Sequence, residues 1–423
     1  MLQVSYIREN REKVLERLAV RNFKQPELVD EIIALDEKRR STQTQLEQVS
    51  AEANSAAKKI GELMRNGKKE EAEAIKNQTS TWKSEIKTFG DDLAALENEQ
   101  QQKLFLLPNL PHISVPKGST AEENEVVLEN GEKPNLPENA LPHWELAAKY
   151  NLIDFELGVK ITGAGFPVYK GKGAKLQRAL IAFFLDEAEK AGYDERMLPL
   201  MVNEASGFGT GQLPDKEGQM YYVGVDNLFL IPTAEVPMTN LYRDVILKED
   251  ELPIKNCGYT PCFRREAGSY GAHVRGLNRL HQFDKVEVVQ VTHPEKSYEV
   301  LEEMSLHVQS LLQKLELPYR VLRLCGGDMS FTSALTYDME TWSAAQQRWL
   351  EVSSVSNFET FQSNRLKLRF RNSEGKNQLA HTLNGSALAL PRIVATLLEN
   401  NQTEKGIKIP EVLVPYTKFE WID

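Results

Sequence analysis

The chain has 423 residues, 41% hydrophobic and 26% charged, which is typical of a globular protein with room for two or three domains. Its net charge of −10 argues against a general nucleic-acid binder, so a polyanionic partner would need local basic patches. There is no apolar run of the roughly 18 residues that a membrane span needs, no pattern of a secretory signal, and only three scattered cysteines. We therefore expect no membrane partner, no zinc site and a reducing, cytoplasmic setting.

The first long predicted element is a pair of helices. A heptad pattern of apolar residues runs over 28–63 and resumes over 72–96, and Asn66-Gly67 between the two runs is a helix-stop signal. No proline falls within residues 27–107. Two apolar heptad stripes of similar length on either side of one turn predict an antiparallel helical hairpin. Its helices of about 38 residues would each span roughly 57 Å.

Two interpretations of this hairpin stay open from its sequence alone. A dimerisation coiled coil is the simpler one, but the apolar stripe is only weakly hydrophobic and therefore suits an intramolecular pair of helices better than a multimer. On an acidic protein, a nucleic-acid phosphate backbone would bind at basic clusters. One cluster lies around the turn and consists of Lys58, Lys59, Arg65, Lys68 and Lys69. A second lies at the front of the chain and consists of Arg8, Arg11, Lys13, Arg17, Arg21 and Lys24.

A proline-rich stretch over 108–142 ends the second helix. It predicts a domain boundary near residue 108, with a helical arm over 1–107 and a second domain over 108–423. Within the second domain an amphipathic helix is expected over 174–191, and an extended stretch that Pro199 interrupts follows it. The apolar helix face and the edge-type strand suit a subunit interface, although an ordinary core helix explains the same pattern.

A short apolar strand precedes Thr233-Ala234-Glu235. In an extended chain the Thr233 hydroxyl and the Glu235 carboxylate would share one face and can grip a small cationic, hydroxylated ligand. For this tripeptide alone, a helix N-cap and a solvent-exposed carboxylate are the simpler interpretation.

Two charged segments flank a Gly-rich, Arg-bearing stretch and predict strand, loop and strand over 261–291. Residues 382–399 predict a strand, a tight turn and a helix, with Arg392 early in the helix. Arg264 and Arg392 suit bidentate phosphate binding, while Glu351 and Glu287 offer carboxylates for Mg²⁺. Phe283 offers a ring on which a base can stack. Their sum predicts a nucleoside triphosphate site without a Walker loop, in which positioning and electrostatics promote an in-line displacement.

Five blocks resemble, in the correct order, the signature sequences of class II aminoacyl-tRNA synthetases. They are Gly209–Pro214, Thr233–Glu235, Cys262–Gly268, His281–Glu287 and Asn384–Ser386. Nearly the whole chain is similar to the bacterial-type seryl-tRNA synthetases. The resemblance implies an α+β fold: an antiparallel helical hairpin, then a class II catalytic domain built on an antiparallel β-sheet flanked by helices. It also implies a homodimer and an enzyme that uses ATP and Mg²⁺ to join L-serine to tRNA(Ser), with tRNA(Sec) left open as a further acceptor.

The resemblance assigns roles to individual residues. The implied serine ligands are Thr233, Ala234, Glu235, Arg264, Glu287, Asn384 and Ser386. The implied ATP ligands are Arg264, Arg265, Glu266, Phe283, Glu351, Val352, Ser353, Ser354 and Arg392, with Glu351 and Ser354 also holding Mg²⁺ and with Arg264, Glu351 and Arg392 as the catalytic residues. The tRNA would meet Arg275 and Arg279 on a loop over 268–279, and its long variable arm would meet the basic cluster at the hairpin turn.

The chain departs from the family pattern near its last block, where Ala387 and Pro391 replace the usual glycines. Proline at a helix start is tolerated, and the Ala387 methyl is expected near the ATP site. Two rival functions stay open. A ligase that charges a carrier protein would lack the long hairpin. A non-catalytic RNA-binding paralogue would have lost the motif arginines and carboxylates, which this chain keeps.

Overall fold

The computed structural model describes residues 1–215, 218–266 and 274–423, and these form two compact units. The first unit comprises Met1–Ala19 and Phe23–Pro108, and the second comprises Val20–Asn22 and Asn109–Asp423. No helix within the described ranges is long and apolar enough to cross a membrane.

The first unit is helical. Its helices are α1 (Val4–Glu9), α2 (Arg11–Val20), α3 (Glu27–Arg65) and α4 (Lys69–Leu106). The predicted hairpin is confirmed, since α3 and α4 pack against each other on either side of the Asn66-Gly67 turn. Gly67 has a φ of +76°, a conformation that glycine adopts readily and that ends α3 cleanly.

The two predicted basic clusters differ in their exposure and in their partners. All five basic residues around the turn are exposed. At the front of the chain, Arg8 instead pairs with the buried Asp36, and Arg11 pairs with Asp30 through its Nε and a second nitrogen at 2.7 Å. Arg21 belongs to the second unit and donates to the carbonyls of Ser330 and Ser333 there. The expectation that the front cluster is free to meet phosphates is wrong for Arg8 and Arg21, whose contacts serve the fold. The Arg11 pair is exposed, so for Arg11 the expectation stays a prediction.

The second unit combines helices and strands. Its helices are α5 (His143–Lys149), α6 (Phe155–Ile161), α7 (Gly171–Lys190), α8 (Glu204–Thr210), α9 (Glu235–Asn240), α10 (Ser297–Lys314), α11 (Thr360–Leu366), α12 (Leu390–Asn400) and α13 (Val414–Thr417). Its strands are β1 (Glu125–Asn130), β2 (Ile153–Asp154), β3 (Val168–Tyr169), β4 (Asp194–Glu195), β5 (Met201–Asn203), β6 (Tyr222–Val223), β7 (Leu228–Leu230), β8 (Ile246–Lys248), β9 (Ile254–Phe263), β10 (Gln282–Thr292), β11 (Tyr319–Arg323), β12 (Leu335–Ser343), β13 (Arg348–Asn357), β14 (Arg369–Arg371), β15 (Asn377–Leu379), β16 (His381–Ala389), β17 (Gln402–Thr403), β18 (Gly406–Lys408) and β19 (Trp421–Ile422).

The centre of this unit is an eight-stranded sheet in the order β1-β11-β12-β13-β16-β10-β9-β4. Its pairs are antiparallel except for the edge pair β4 and β9, which confirms the predicted α+β fold class. Strands β9 and β10 pair along their length and confirm the predicted strand, loop and strand. Of the loop between them, residues 267–273, including the Ala267 and Gly268 of the third signature block, lie outside the described ranges.

Alternation along the strands divides the sheet into two faces. Val286 and Val288 of β10 point into the main core, where α7, α10 and α12 cover the sheet. Because successive side chains of a strand point to opposite faces, Phe283, Lys285 and Glu287 share the other face. This second face carries the candidate site.

Two local predictions are wrong. Asn384-Gly385-Ser386 is not a tight turn but the middle of β16, which runs directly into α12. Gly385 is needed there because a Cβ would lie 3.1 Å from a Val355 methyl on the neighbouring strand. Thr233 and Glu235 do not share a face of an extended chain, because Ala234 is helical and Glu235 begins α9.

Candidate active site

A cavity of about 420 Å³ opens on the free face of the central sheet. It brings together most of the residues that the sequence singled out, from five segments of the chain. The predicted residues that line it are Thr233, Glu235, Arg264, Glu266, Arg279, Phe283, Glu287, Glu351, Val352, Ser353, Ser354, Asn384, Ser386 and Arg392.

One end of the cavity holds a buried ion pair. The side chains of Lys285 and Glu287 are 6% and 1% exposed, and Lys285 Nζ lies 2.6 Å from Glu287 Oε2. Lys285 Nζ also donates to the Thr233 hydroxyl at 2.9 Å. The Glu287 contact is close, but its geometry is not that of a hydrogen bond, so Oε2 remains an acceptor without a donor in line. A carboxylate oxygen of this kind suits a ligand hydroxyl.

Glu235 lies beside this pair and is also buried. Gln362 Nε2 donates to Glu235 Oε1 at 2.6 Å, and Thr382 in turn donates to Gln362. Burial raises the pKa of Glu235 to about 7, and the neighbouring Glu287 carboxylate adds to this rise, against the lowering effects of Gln362, Lys285 and Arg264. A carboxylate held this way gains most from an incoming cation such as an ammonium group.

Arg264 follows β9 directly and lies over the Phe283 ring, with its Cζ 5.3 Å from the ring centre. Its Nε donates to the Pro232 carbonyl at 3.3 Å. Glu266, two residues on, forms an ion pair with Arg279, so these two predicted ligands occupy each other in the absence of substrates. The segment therefore sets a guanidinium and an aromatic ring side by side, a pairing that suits a carboxylate or phosphate next to a purine.

A second, more exposed part of the cavity, here called its open end, holds the second predicted arginine. Arg392 Nη1 donates to the Glu351 carbonyl at 2.6 Å and lies 3.6 Å from Glu351 Oε2, while its Nε donates to the Asn278 carbonyl at 3.0 Å. Both side chains of the ion pair are partly exposed, at 29% and 50%. This end is thus more open than the end at Lys285 and Glu287, as a site for a large, charged ligand requires.

A further carboxylate, Asp338, lies next to Ser354 and Glu351 of this open end and was not singled out from the sequence. It is opposite Ser354 in the β12 and β13 pairing and is hydrogen-bonded to that hydroxyl. Burial, and then the Glu351 carboxylate, raise the pKa of Asp338 well above its ordinary value, and its Oδ1 has no partner. Carboxylate and hydroxyl oxygens without a cation are the donor set that Mg²⁺ prefers.

Several predicted residues lie elsewhere. The Ala234 side chain packs with Met238 and Val289, so only its backbone can meet a ligand. Arg265 is exposed and does not line the cavity. Ala387 is fully buried in the main core, so the expectation of a methyl near the ATP site is wrong, whereas Pro391 does line the cavity. Arg275 lies over Trp144 and lines a neighbouring cavity of about 780 Å³ that also includes Arg279.

The predicted interface helix also needs correction. The apolar face of α7, including Leu180, Phe183 and Phe184, is buried in the main core of this chain, as the simpler interpretation held. The extended stretch after it does expose apolar side chains: Met197 is 96% and Met201 is 48% exposed. A subunit interface on this side would therefore use that stretch rather than the apolar face of the helix.

Sequence reasoning missed Lys285, Gln362 and Asp338. Lys285 stood inside a recognised block and had a usable signal, since it alternates with Phe283 and Glu287 on one strand. Gln362 and Asp338 gave no local signal, because their partners lie more than ten residues away in the chain.

Comparison with known proteins agrees with this geometry. The family model described as the seryl-tRNA synthetase N-terminal domain matches residues 1–111, and the class II core domain of the G, H, P, S and T synthetases matches residues 221–401. A serine–tRNA ligase from Salinibacter ruber is 52% identical over 421 residues, covering 99% of this chain and 98% of the relative.

Solved structures are similar over the full length. The seryl-tRNA synthetase of Pyrococcus horikoshii in complex with ATP has a TM-score of 0.93 at 32% identity, and the match covers 100% of this chain and 99% of that one. A cytoplasmic serine–tRNA ligase from Naegleria fowleri in complex with AMP has a TM-score of 0.88 at 27% identity, with the same coverage.

Proposed function

Because the chain belongs to the seryl-tRNA synthetase family and is a serine–tRNA ligase, we propose that this cavity activates L-serine with ATP and then transfers serine to tRNA(Ser). The observation that carries the assignment of substrates is the contrast between the two ends of the cavity. The closed end offers Glu235 for an ammonium group and Glu287 for a hydroxyl, and the open end offers Arg392 and Glu351. Serine fits the first end and the triphosphate fits the second.

In the first step, a serine carboxylate oxygen attacks the α-phosphorus of ATP, the bond to the bridging oxygen breaks, and pyrophosphate leaves. Arg264, which lies over the Phe283 ring, binds the serine carboxylate and the α-phosphate together, which positions the nucleophile and offsets charge on the phosphate. Phe283 stacks on adenine, and Glu266 accepts from its amino group once the ion pair with Arg279 opens. Arg392 holds the γ-phosphate.

We place Mg²⁺ at Glu351 and Ser354. The donor set supports this, because Glu351 is half exposed and the Asp338 oxygen behind Ser354 has no partner. When bound, the ion would neutralise phosphate charge. Arg392 is held by the backbone carbonyls of Glu351 and Asn278, so it stays in place while the Glu351 carboxylate turns to the cation.

In the second step, a hydroxyl oxygen of the terminal tRNA ribose attacks the serine carbonyl carbon. The bond from that carbon to the phosphate oxygen of the adenylate breaks, AMP leaves with that oxygen, and the hydroxyl proton passes to the leaving phosphate. We propose that Arg275 and Arg279 meet the acceptor end, and that the basic cluster at the hairpin turn meets the variable arm of the tRNA. The exposure of all five basic residues at the turn supports this, as does their number on an acidic chain. Use of tRNA(Sec) remains a prediction without an observation that favours it.

We also propose that the protein works as a homodimer. Met197 and Met201 are exposed next to the edge strand β4, and Tyr222 on β6 and Val225 add 55% and 97% exposed side chains. Apolar surface of this extent commonly marks an interface. Sedimentation at several concentrations tests it, and a monomer at micromolar concentration would contradict it.

The decisive experiment for function is amino-acid-dependent exchange of labelled pyrophosphate into ATP, run with several amino acids. We expect exchange with serine and little with alanine, because a site built to hydrogen-bond a hydroxyl leaves its acceptor unpaired against alanine. A non-catalytic paralogue would show no exchange with any amino acid.

A further inference from the structure

The buried ammonium of Lys285 has no part in the reaction steps above, yet it contacts two residues assigned to serine. It donates to Thr233 at 2.9 Å and lies 2.6 Å from a Glu287 oxygen, with only 6% of its own side chain exposed. Burying an ammonium is costly unless its partners repay the lost hydration, so a lysine at this place calls for an explanation.

We propose that Lys285 is a specificity-determining positioning residue: it is the resident counter-ion of Glu287, and it holds that carboxylate in place for the serine hydroxyl while leaving Glu235 to the serine ammonium. This inference rests on the proposed assignment of the closed end to serine. Lys285 need not touch the substrate for this role.

A count of charges supports the proposal. The closed end contains two carboxylates, Glu235 and Glu287, and two cations, Lys285 and Arg264. A serine zwitterion brings one charge of each sign. If Arg264 takes the serine carboxylate and Glu235 takes the ammonium, Lys285 remains for Glu287 and every charge has one partner. Without Lys285 two carboxylates would compete for one ammonium.

The geometry fits the same role. Lys285 and Glu287 alternate on one face of β10, and Ser386 is opposite Glu287 in the pairing with β16. Lys285 reaches Glu287 from one side, and Glu287 Oε2 still lacks a donor in hydrogen-bonding geometry. The serine hydroxyl can supply that donor. Alanine cannot, and an ionised carboxylate left without it costs more than a neutral one would.

Removal of the charge with little change of shape is the direct test. In Lys285→Met we expect the serine KM in pyrophosphate exchange to rise roughly 10- to 100-fold, as for the loss of a charge-assisted hydrogen bond. The KM for ATP should stay within about 3-fold, because Lys285 contacts Thr233 and Glu287, which are both assigned to serine. The preference for serine over alanine should fall about 10-fold, since Glu287 would lose the partner that holds it in place for the serine hydroxyl.

The pH dependence of the serine KM separates this role from a merely structural one. The charged groups that act on Glu235 are Glu287, Lys285 and Arg264, and its pKa is raised to about 7. In the wild type the serine KM should therefore fall from pH 6 and level off above pH 7, as Glu235 ionises. The Lys285 charge lowers the pKa of Glu235, so in Lys285→Met the serine KM should level off at a higher pH.

Two further variants complete the design. Lys285→Arg retains the charge and should restore much of the preference for serine over alanine. Lys314→Met is the matched control: Lys314 pairs with the largely buried Glu187 outside the cavity, so its loss should leave the serine KM and its pH profile unchanged. Circular dichroism melts show which variants are folded.

Three results would overturn the proposal. An unchanged serine KM and alanine preference in Lys285→Met would show that the lysine has no such role. A lower serine KM would show that Lys285 competes with the substrate ammonium. Equal losses in the Met and Arg variants with an unshifted pH profile would show a structural role only. Absence of serine-dependent exchange in the wild type would instead refute the proposed function itself.

Discussion

The closed end of the cavity and the turn of the helical hairpin hold their charges in opposite ways. At the cavity, Lys285 and Glu287 are almost fully buried and paired with each other. At the hairpin turn, the five basic side chains are exposed, and an exposed pair such as Lys68 with Glu71 is worth little. A small ligand gains from groups fixed in a dry pocket, whereas a polyanion gains from many mobile charges. Single substitutions should therefore be severe at the cavity and mild at the turn.

The sharpest test of the cavity is Arg264→Ala. We expect serine-dependent pyrophosphate exchange to fall more than about 1,000-fold, because the variant lacks the guanidinium that we propose to position the nucleophile and to offset charge at the phosphate. Arg265→Ala is the matched control: Arg265 is the adjacent residue, is exposed and lies outside the cavity lining, so its exchange rate should stay within about 5-fold. Normal exchange in Arg264→Ala would remove this residue from the reaction.

Removal of the arm tests whether the two regions serve different substrates. In a chain with residues 30–104 replaced by a short Gly-Ser linker, exchange should stay within about 3-fold, because the second unit buries a core of its own. Charging of tRNA(Ser) should fall about 100-fold or more, because the variant lacks the basic cluster that we propose to hold the tRNA phosphates. Intact charging by this variant would mean that the hairpin is not the tRNA grip.

Asp36 shows that the arm also has a buried charge, and that this charge serves stability. Burial opposes ionisation, yet hydrogen bonds from Arg39, at 3.0 Å, and from Arg8 lower the pKa of Asp36 below its ordinary value. A carboxyl with a lowered pKa stabilises the folded state above its unfolded pKa of about 4, and this stability is lost as pH falls through the folded pKa.

We therefore expect Asp36→Asn to destabilise the arm by about 2 kcal/mol at pH 7, measured by urea unfolding of the full chain, with a smaller difference from wild type below pH 4. Asp30→Asn removes an exposed partner of Arg11 and should change stability little. Serine-dependent exchange should be normal in both variants. An equal effect of the two substitutions would contradict the distinction between buried and exposed pairs in the arm.

The sequence predicted the helical hairpin in more detail than the cavity, and the reasons are physical. The hairpin was predictable because a heptad pattern is local, and α3 and α4 begin and end close to the expected positions. In the cavity, alternation along β10 already places Phe283 and Glu287 on one face. Lys285 donates a hydrogen bond to Thr233, which is 52 residues away, and that contact depends on how the chain after β7 folds back.

The errors also have physical causes. Gly385 was interpreted as a turn residue because glycine commonly marks turns, but here it lets β13 and β16 pack closely. The pairing of Asp338 with Ser354 depends on an irregular register between β12 and β13 near Met339, and no local pattern shows such a shift. Glu235 begins a helix because packing around Ala234 overrides the extended pattern of the preceding strand.

The mildest expected effects belong to the hairpin turn. Alanine at Lys58 or Lys68 should raise the tRNA KM only about 2- to 5-fold, without a change in serine or ATP KM, because each residue contributes one exposed, screened charge. The dependence of log kcat/KM for tRNA on log salt concentration should become shallower by up to about 1 for each phosphate that is no longer neutralised. Lys87→Ala is the control, since Lys87 is equally exposed on α4 but lies away from the turn. If Lys87→Ala weakens tRNA charging as much as the turn variants do, the tRNA follows the charge of the whole helix rather than the basic cluster at its end.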